Sequence, residues 1–181
     1  MVQPPRTPPL LNVSIRQAAL TDYLFNTLPY FVTFATFGRH PVFQDVEVAR
    51  LFVDELHKLR HELRFLLLSY VVMPGHVHLV IVPSSAAGLA KIMQYVKGRF
   101  ARFYHARNGG TGSLWQSRYY ETAVRGEAAL LRRIEYIEEN PVKASLVSRP
   151  EDYPFSSAAD GKVDWENYLA PVQEVPASSP G

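Results

Sequence analysis

Residues 70–83 read Tyr70-Val71-Val72-Met73-Pro74-Gly75-His76-Val77-His78-Leu79-Val80-Ile81-Val82-Pro83. Apolar, β-branched runs lie on both sides of Pro74-Gly75, a pair of residues that turns the chain sharply. The stretch therefore predicts a hairpin of two strands, Phe65 to Met73 and His76 to Val82. Side chains alternate faces along a strand, so His76 and His78 point the same way from a segment that is otherwise built for burial. Two imidazoles side by side on a sheet face can ligate a metal ion, or can simply be two hydrogen-bonded core histidines.

Upstream, Tyr30 to Phe37 is β-branched and aromatic, which predicts a strand, and Gly38-Arg39-His40-Pro41 closes it with a turn. Phe43, Val46, Ala49, Phe52, Val53, Leu56, Leu59 and Leu63 recur at threes and fours, the spacing of a long amphipathic helix. Downstream, Leu89, Ile92, Met93, Val96, Phe100 and Phe103 mark a second helix. A loop follows at Asn108-Gly109-Gly110-Thr111-Gly112, then a strand over Leu114 to Val124 and a helix from about Glu127 to Asn140. The order β-α-β-β-α-β plus one helix predicts an α+β, ferredoxin-like fold with a mainly antiparallel sheet. The expected organisation is an irregular, Pro-rich segment over 1–20, one domain over 21–160 and a flexible tail over 161–181.

The last helix carries a second constellation, Ile134-Glu135-Tyr136-Ile137-Glu138-Glu139-Asn140-Pro141. Tyr136 and Asn140, four apart, lie about 40° from each other around a helix axis and share a face. The apolar stripe is Leu130, Leu131, Ile134 and Ile137, which leaves the tyrosine off the packing face. Pro141 disfavours helical geometry at Asn140 itself.

Composition narrows the function classes. The 181 residues, 47% hydrophobic and 20% charged, suffice for one cored domain. The chain has no cysteine, which excludes disulfides, thiolate metal sites and a cysteine nucleophile. No apolar run reaches the ~18 residues that span a membrane, so a cytoplasmic location is expected. Net charge is only +2, yet residues 86–149 hold 11 Lys/Arg against 5 Asp/Glu. Within 86–108, Lys91, Lys97, Arg99, Arg102 and Arg107 occur with no acidic residue and are interleaved with Tyr95, Phe100, Phe103 and Tyr104. Cations suit phosphate oxygens and exposed rings stack unpaired bases, a mixture that fits single-stranded nucleic acid; the same rings equally suit the core of an amphipathic helix.

Other candidate groups carry less. His57 and His61 are four apart, but a metalloprotease helix needs Glu where Lys58 stands, which leaves a solvated face. His40 and His105 have no evident partners. Glu121, near the end of the last strand, reads as an exposed strand-end carboxylate, the other reading being a reach to the metal shell. The loop 109–112 lacks the Lys-Ser/Thr of a phosphate loop. Arg132 and Arg133 lie within a turn of Tyr136, as helpers or as surface charges.

Several ordered motifs together resemble one family: His76-Val77-His78, Trp115-Gln116 before Arg118-Tyr119-Tyr120-Glu121, the block Tyr136 to Ala144, and Tyr153-Pro154-Phe155-Ser156-Ser157. The pattern, over roughly residues 28–158, is similar to the single-tyrosine HUH transposases and within them to the REP-associated tyrosine transposases. The resemblance implies a nucleoid-associated enzyme that cuts and rejoins single-stranded DNA at hairpins. It further implies a divalent metal, Mg2+ or Mn2+, and a covalent 5′-phosphotyrosine intermediate. It would make His76, His78 and Asn140 metal ligands and Tyr136 the nucleophile. Lys91, Lys97, Arg99, Arg102, Arg107, Trp115, Gln116 and Arg118 are expected to contact DNA. The family includes monomers and dimers that exchange tyrosine helices, with the REP-associated branch leaning to monomers.

The chemistry suits those residue types. A phenolate is a better leaving group than an alkoxide, so a phosphotyrosine keeps the strand ready for rejoining. A free phenol titrates near pH ~10 and needs activation by a metal, a base or a cation. The residues leave two other classes open: a non-catalytic single-stranded nucleic-acid-binding module, and a metal-dependent phosphodiester hydrolase that uses water and for which Tyr136 is dispensable.

Overall fold

The computed structural model describes residues 28–169. The N-terminal expectation for 1–20 lies outside them, as does the tail reading for 170–181. Strands β1 (Tyr30–Ala35), β2 (Leu66–Met73), β3 (His76–Val82) and β4 (Tyr120–Ala123) form one sheet in the order β2-β3-β1-β4. All three pairings are antiparallel. Helices α1 (Val46–Leu63) and α2 (Leu89–Asn108) make the two crossovers, and α3 (Glu127–Glu138) follows β4. The α+β, ferredoxin-like expectation is met in element order and in strand direction.

Local chemistry sets the element ends. The Asp45 carboxylate caps α1 by accepting from the backbone N–H groups of Glu47 at 2.9 Å and Val48 at 3.3 Å. Phe43, the first apolar position of the expected helix, sits instead in a 3-10 turn ahead of it. Gly109, at φ +66°, closes α2 in the left-handed conformation that glycine adopts without a Cβ clash.

The two sheet faces are covered by different helices. Phe34 on β1 packs on Phe52 of α1 and on Trp115, and Phe52 packs on Phe100 of α2. Phe31, three residues from Phe34 and so on the other face, packs on His78 and on Tyr136 of α3. The main core lies between the sheet and α1/α2. The helix α3 shields the opposite face over β2 and β3.

Three expectations need correction. The strand expected over 114–124 forms a regular ladder only over Tyr120–Ala123. Upstream, it touches β1 through an isolated Thr36–Trp115 bridge, because the Trp115 ring turns into the core there. The final helix ends at Glu138, and a short turn of helix, α4 (Asn140–Lys143), restarts with Pro141 near its N-terminus, where a missing N–H costs nothing. Residues 161–169, expected in the tail, are held on the domain. The Asp164 N–H donates to the Leu67 carbonyl, the Asp164 carboxylate accepts from the Leu67 N–H, both at 2.9 Å, and Trp165 is buried.

Candidate active site on the histidine face

The strand β3 sits between β2 and β1, and its register places His76 opposite Ala35 and Met73 and His78 opposite Thr33 and Val71. Cross-strand partners share a face, so these histidines emerge on the α3 side. Their rings lie 4.8 Å apart, centroid to centroid. His78 is 5% exposed. Its Nδ1 is within 2.7 Å of the Thr33 hydroxyl, which leaves Nε2 as the free ring nitrogen. Phe31 stacks on the same ring at 5.6 Å.

From α3, Tyr136 enters edge-on. Its ring lies 5.4 Å from that of His78 and 5.9 Å from that of Phe31, and it remains 40% exposed. Asn140, at the start of α4, brings its side chain to the His76 ring, where it favours the protonated imidazole. The four residues singled out as a constellation, His76, His78, Tyr136 and Asn140, thus meet in one chain, at the junction of a central strand and a late helix. The chain path continues in helical geometry through Glu139, so Pro141 does not turn Asn140 away.

Electrostatics keep both imidazoles neutral. Burial pushes His78 down to about 3, with the charges of His76 and Arg39 acting in the same direction. Burial and Arg39 also lower His76, against the favourable Asn140 contact. A neutral imidazole is the form that can ligate a cation. Among the described residues, no group of three or more His, Cys, Asp or Glu is arranged to hold a metal ion. An ion here would therefore rest on two imidazoles and the Asn140 amide oxygen, a sparse mixed donor set that leaves positions for a substrate.

Sequence reasoning missed Lys143 and Arg39 among the cations that ring this centre and weighed Arg133 only as a helper or a surface charge. Lys143 Nζ lies 5.7 Å from the Tyr136 ring centroid, and the Arg133 guanidinium lies 4.7 Å from that of Phe31. Arg39, read only as a turn residue, places its charge where both histidines sense it. The Tyr120 ring, 58% exposed, is 6.5 Å from Phe31 on the same face. Strand parity from Phe31 through Thr33 gives the face of Tyr120 once the register is known; sequence alone withholds that register.

The expected DNA contacts divide. Lys91, Arg102, Arg107, Gln116 and Arg118 are exposed. Lys97 donates to the Gln116 carbonyl at 2.9 Å and lies over the Tyr119 ring. Two expected contacts are overturned. Trp115 is 5% exposed, sits among Phe34, Phe43, Phe52 and Phe100, and donates through Nε1 to the Lys97 carbonyl at 2.8 Å, so its ring cannot stack a base. Arg99 is occupied by the carboxylates of Glu55 and Glu62 on α1. Elsewhere, His57 is not on a solvated face: it reaches the Asp160 carboxylate at 3.4 Å.

Comparison with known proteins follows the same lines. The family model described as Transposase IS200 like matches residues 25–140. The chain belongs to the IS200-like transposase family. It is 30% identical over 101 residues to a REP-associated tyrosine transposase of Escherichia coli K12, covering 55% of this chain and 58% of that protein. It is 31% identical over 96 residues to a putative REP-associated tyrosine transposase of Haemophilus influenzae Rd, covering 48% and 54%. These alignments span just over half the length of either relative. Its fold is similar to that of a REP-associated tyrosine transposase bound to a REP hairpin, with a TM-score of 0.61 and 22% identity over 87% of this chain and 94% of that one. The resemblance of the motifs to single-tyrosine transposases is thereby met. Among the described residues, no helix is long and apolar enough to cross a membrane.

Proposed function

We propose that this transposase nicks and rejoins single-stranded DNA beside hairpins, with Tyr136 as nucleophile. The observation that carries the reading is the convergence of Tyr136 on His78 and of Asn140 on His76 within one chain. The Tyr136 oxygen attacks phosphorus as its proton passes to solvent, the bond from phosphorus to the 3′ oxygen breaks, and that oxygen leaves as a hydroxyl after taking a proton. The 5′ end stays on the protein as a phosphotyrosine, and attack by another 3′ hydroxyl reverses the step.

Lys143, beside the phenol ring, places a cation where the entering phosphate needs one. His76 and His78, held neutral, together with Asn140 would hold Mg2+ or Mn2+, which when bound supplies charge neutralisation at the scissile phosphate. Lys91, Lys97, Arg102, Arg107, Gln116 and Arg118 grip the backbone of the hairpin-forming strand, and Tyr120 offers a ring to an unpaired base. The meeting of Tyr136, His76, His78 and Asn140 within one chain supports a monomer over a homodimer as the acting unit, on DNA in the cytoplasm at the nucleoid.

Incubation with a labelled hairpin oligonucleotide carrying randomised single-stranded flanks, with and without Mn2+, tests the reading on a denaturing gel. A metal-dependent covalent adduct is expected. Cleavage without an adduct would identify a hydrolase, and a native-gel shift without cleavage would identify a binding module.

A further inference from the structure

We propose that Arg39 is a phosphate-binding residue, held beside His76 and His78 to seat the scissile phosphate; this rests on the nicking reading above. The turn after β1 places Gly38 at φ +60° and Arg39 at φ +53°. Consecutive left-handed residues suit glycine or asparagine, and an arginine there works against its own Cβ. The turn alone gives no reason for a long cationic side chain.

The turn is also fastened to the hairpin that bears the histidines. The Thr36 N–H donates to the Gly75 carbonyl at 3.1 Å, and the Thr36 hydroxyl lies 3.0 Å from that carbonyl and 2.7 Å from that of His40. The Phe43 N–H donates to the Pro74 carbonyl at 3.0 Å. A Cβ at Gly75 would stand 2.6 Å from the Arg39 carbonyl oxygen, so the close approach requires glycine. Gly75 directly precedes His76. The backbone of Arg39 is therefore held against Gly75, one residue from His76, by fixed contacts and not by a wandering loop, with its charge within electrostatic reach of both rings.

Charge then identifies the ligand. Arg39 is exposed and, among the described residues, has no ion-pair partner. A free cation next to a dihistidine centre repels a second cation brought to that centre. An anion shared by both removes the conflict, and the guanidinium fork matches two oxygens of a phosphodiester. The backbone of a DNA strand lying across His76, His78 and Tyr136 supplies that anion.

The test compares wild type with Arg39→Gly and Arg39→Lys by three measurements: adduct formation on the randomised-flank hairpin, Mn2+ binding to DNA-free protein by electron paramagnetic resonance, and thermal midpoint. Arg39→Gly is expected to melt no lower than wild type, to bind Mn2+ at least as tightly, and to form adduct about tenfold more slowly or worse, with Arg39→Lys in between. An adduct rate for Arg39→Gly within roughly twofold of wild type overturns the proposal. So does a slower rate accompanied by a lower melting point and weaker Mn2+ binding, which would mark Arg39 as a scaffold residue. Failure of the wild type itself to form an adduct overturns the nicking reading, and Arg39's role with it.

Discussion

The ring of Tyr136 stands edge-on to that of His78, 5.4 Å between centroids at 74°, although one residue belongs to a late helix and the other to the second strand of an early hairpin. The contact leaves the phenol 40% exposed, so the hydroxyl is not required for packing. Tyr136→Phe is expected to keep stability within about 0.5 kcal/mol while lowering cleavage by roughly 10³-fold or more. Denaturant unfolding and a denaturing gel on one protein preparation measure both, and full cleavage by the variant would remove Tyr136 from the chemistry.

Acid should unfold the protein partly through His78. Its folded value is about 3 against an ordinary 6.5, so between those limits the unfolded chain binds a proton that the folded chain refuses. Stability is then independent of this group above about pH 6.5 and falls as pH drops toward 3, by up to about 1.4 kcal/mol per unit. His76, also lowered, acts in the same direction. Urea unfolding of wild type and His78→Gln at pH 7, 5.5 and 4.5 should give a shallower decline for the variant; parallel declines would contradict the buried neutral imidazole.

Gly75 is expected to tolerate no side chain. In Gly75→Ala the new methyl meets the Arg39 carbonyl, a backbone atom of the turn that the Thr36 hydroxyl ties down through the neighbouring carbonyls of His40 and Gly75, and the cost should be about 1–3 kcal/mol in denaturant unfolding. A neutral outcome would mean the turn after β1 yields more readily than its contacts suggest.

Trp115 and the exposed cations of α2 should separate cleanly. Trp115→Ala is expected to cost about 3–5 kcal/mol of stability through the cavity it leaves, with little change in DNA affinity per folded molecule. The double variant Lys91→Gln/Arg102→Gln should keep stability and reduce the slope of log affinity against log salt by about 1.4 for a single strand. An unchanged slope would show that DNA does not touch this helix face.

Much of this was legible in the sequence, and the exceptions have physical causes. Period-2 and period-3.6 patterns are local, so the hairpin, the shared face of His76 and His78 and the four-residue spacing of Tyr136 and Asn140 could be read directly. Trp115 stands among glycine, serine and charged residues with no periodic apolar neighbours, and only its contact with Phe34 and Phe100 reveals it as core. Arg99 looked free because its partners lie on another helix. Glu55 was the available signal: a carboxylate on the inward stripe of α1, buried between Phe52 and Leu59, needs a cation to accompany it. Arg39 was hidden inside a turn signature, since a backbone pattern says nothing about where a long side chain ends.

The sheet itself separates the basic helix from the chemistry. The helix α2 lies on the Phe34 side and Tyr136 on the Phe31 side, so a strand that reaches both must travel around a border of the sheet. Ser156 bridges Val71 along the outer border of β2, while among the described residues nothing pairs with the far border of β4. There, Lys97 over Tyr119 leads toward Tyr120. On the proposed nicking reading, the girth of the protein at that border would act as a ruler, setting how many nucleotides separate a hairpin held by α2 from the bond that Tyr136 attacks.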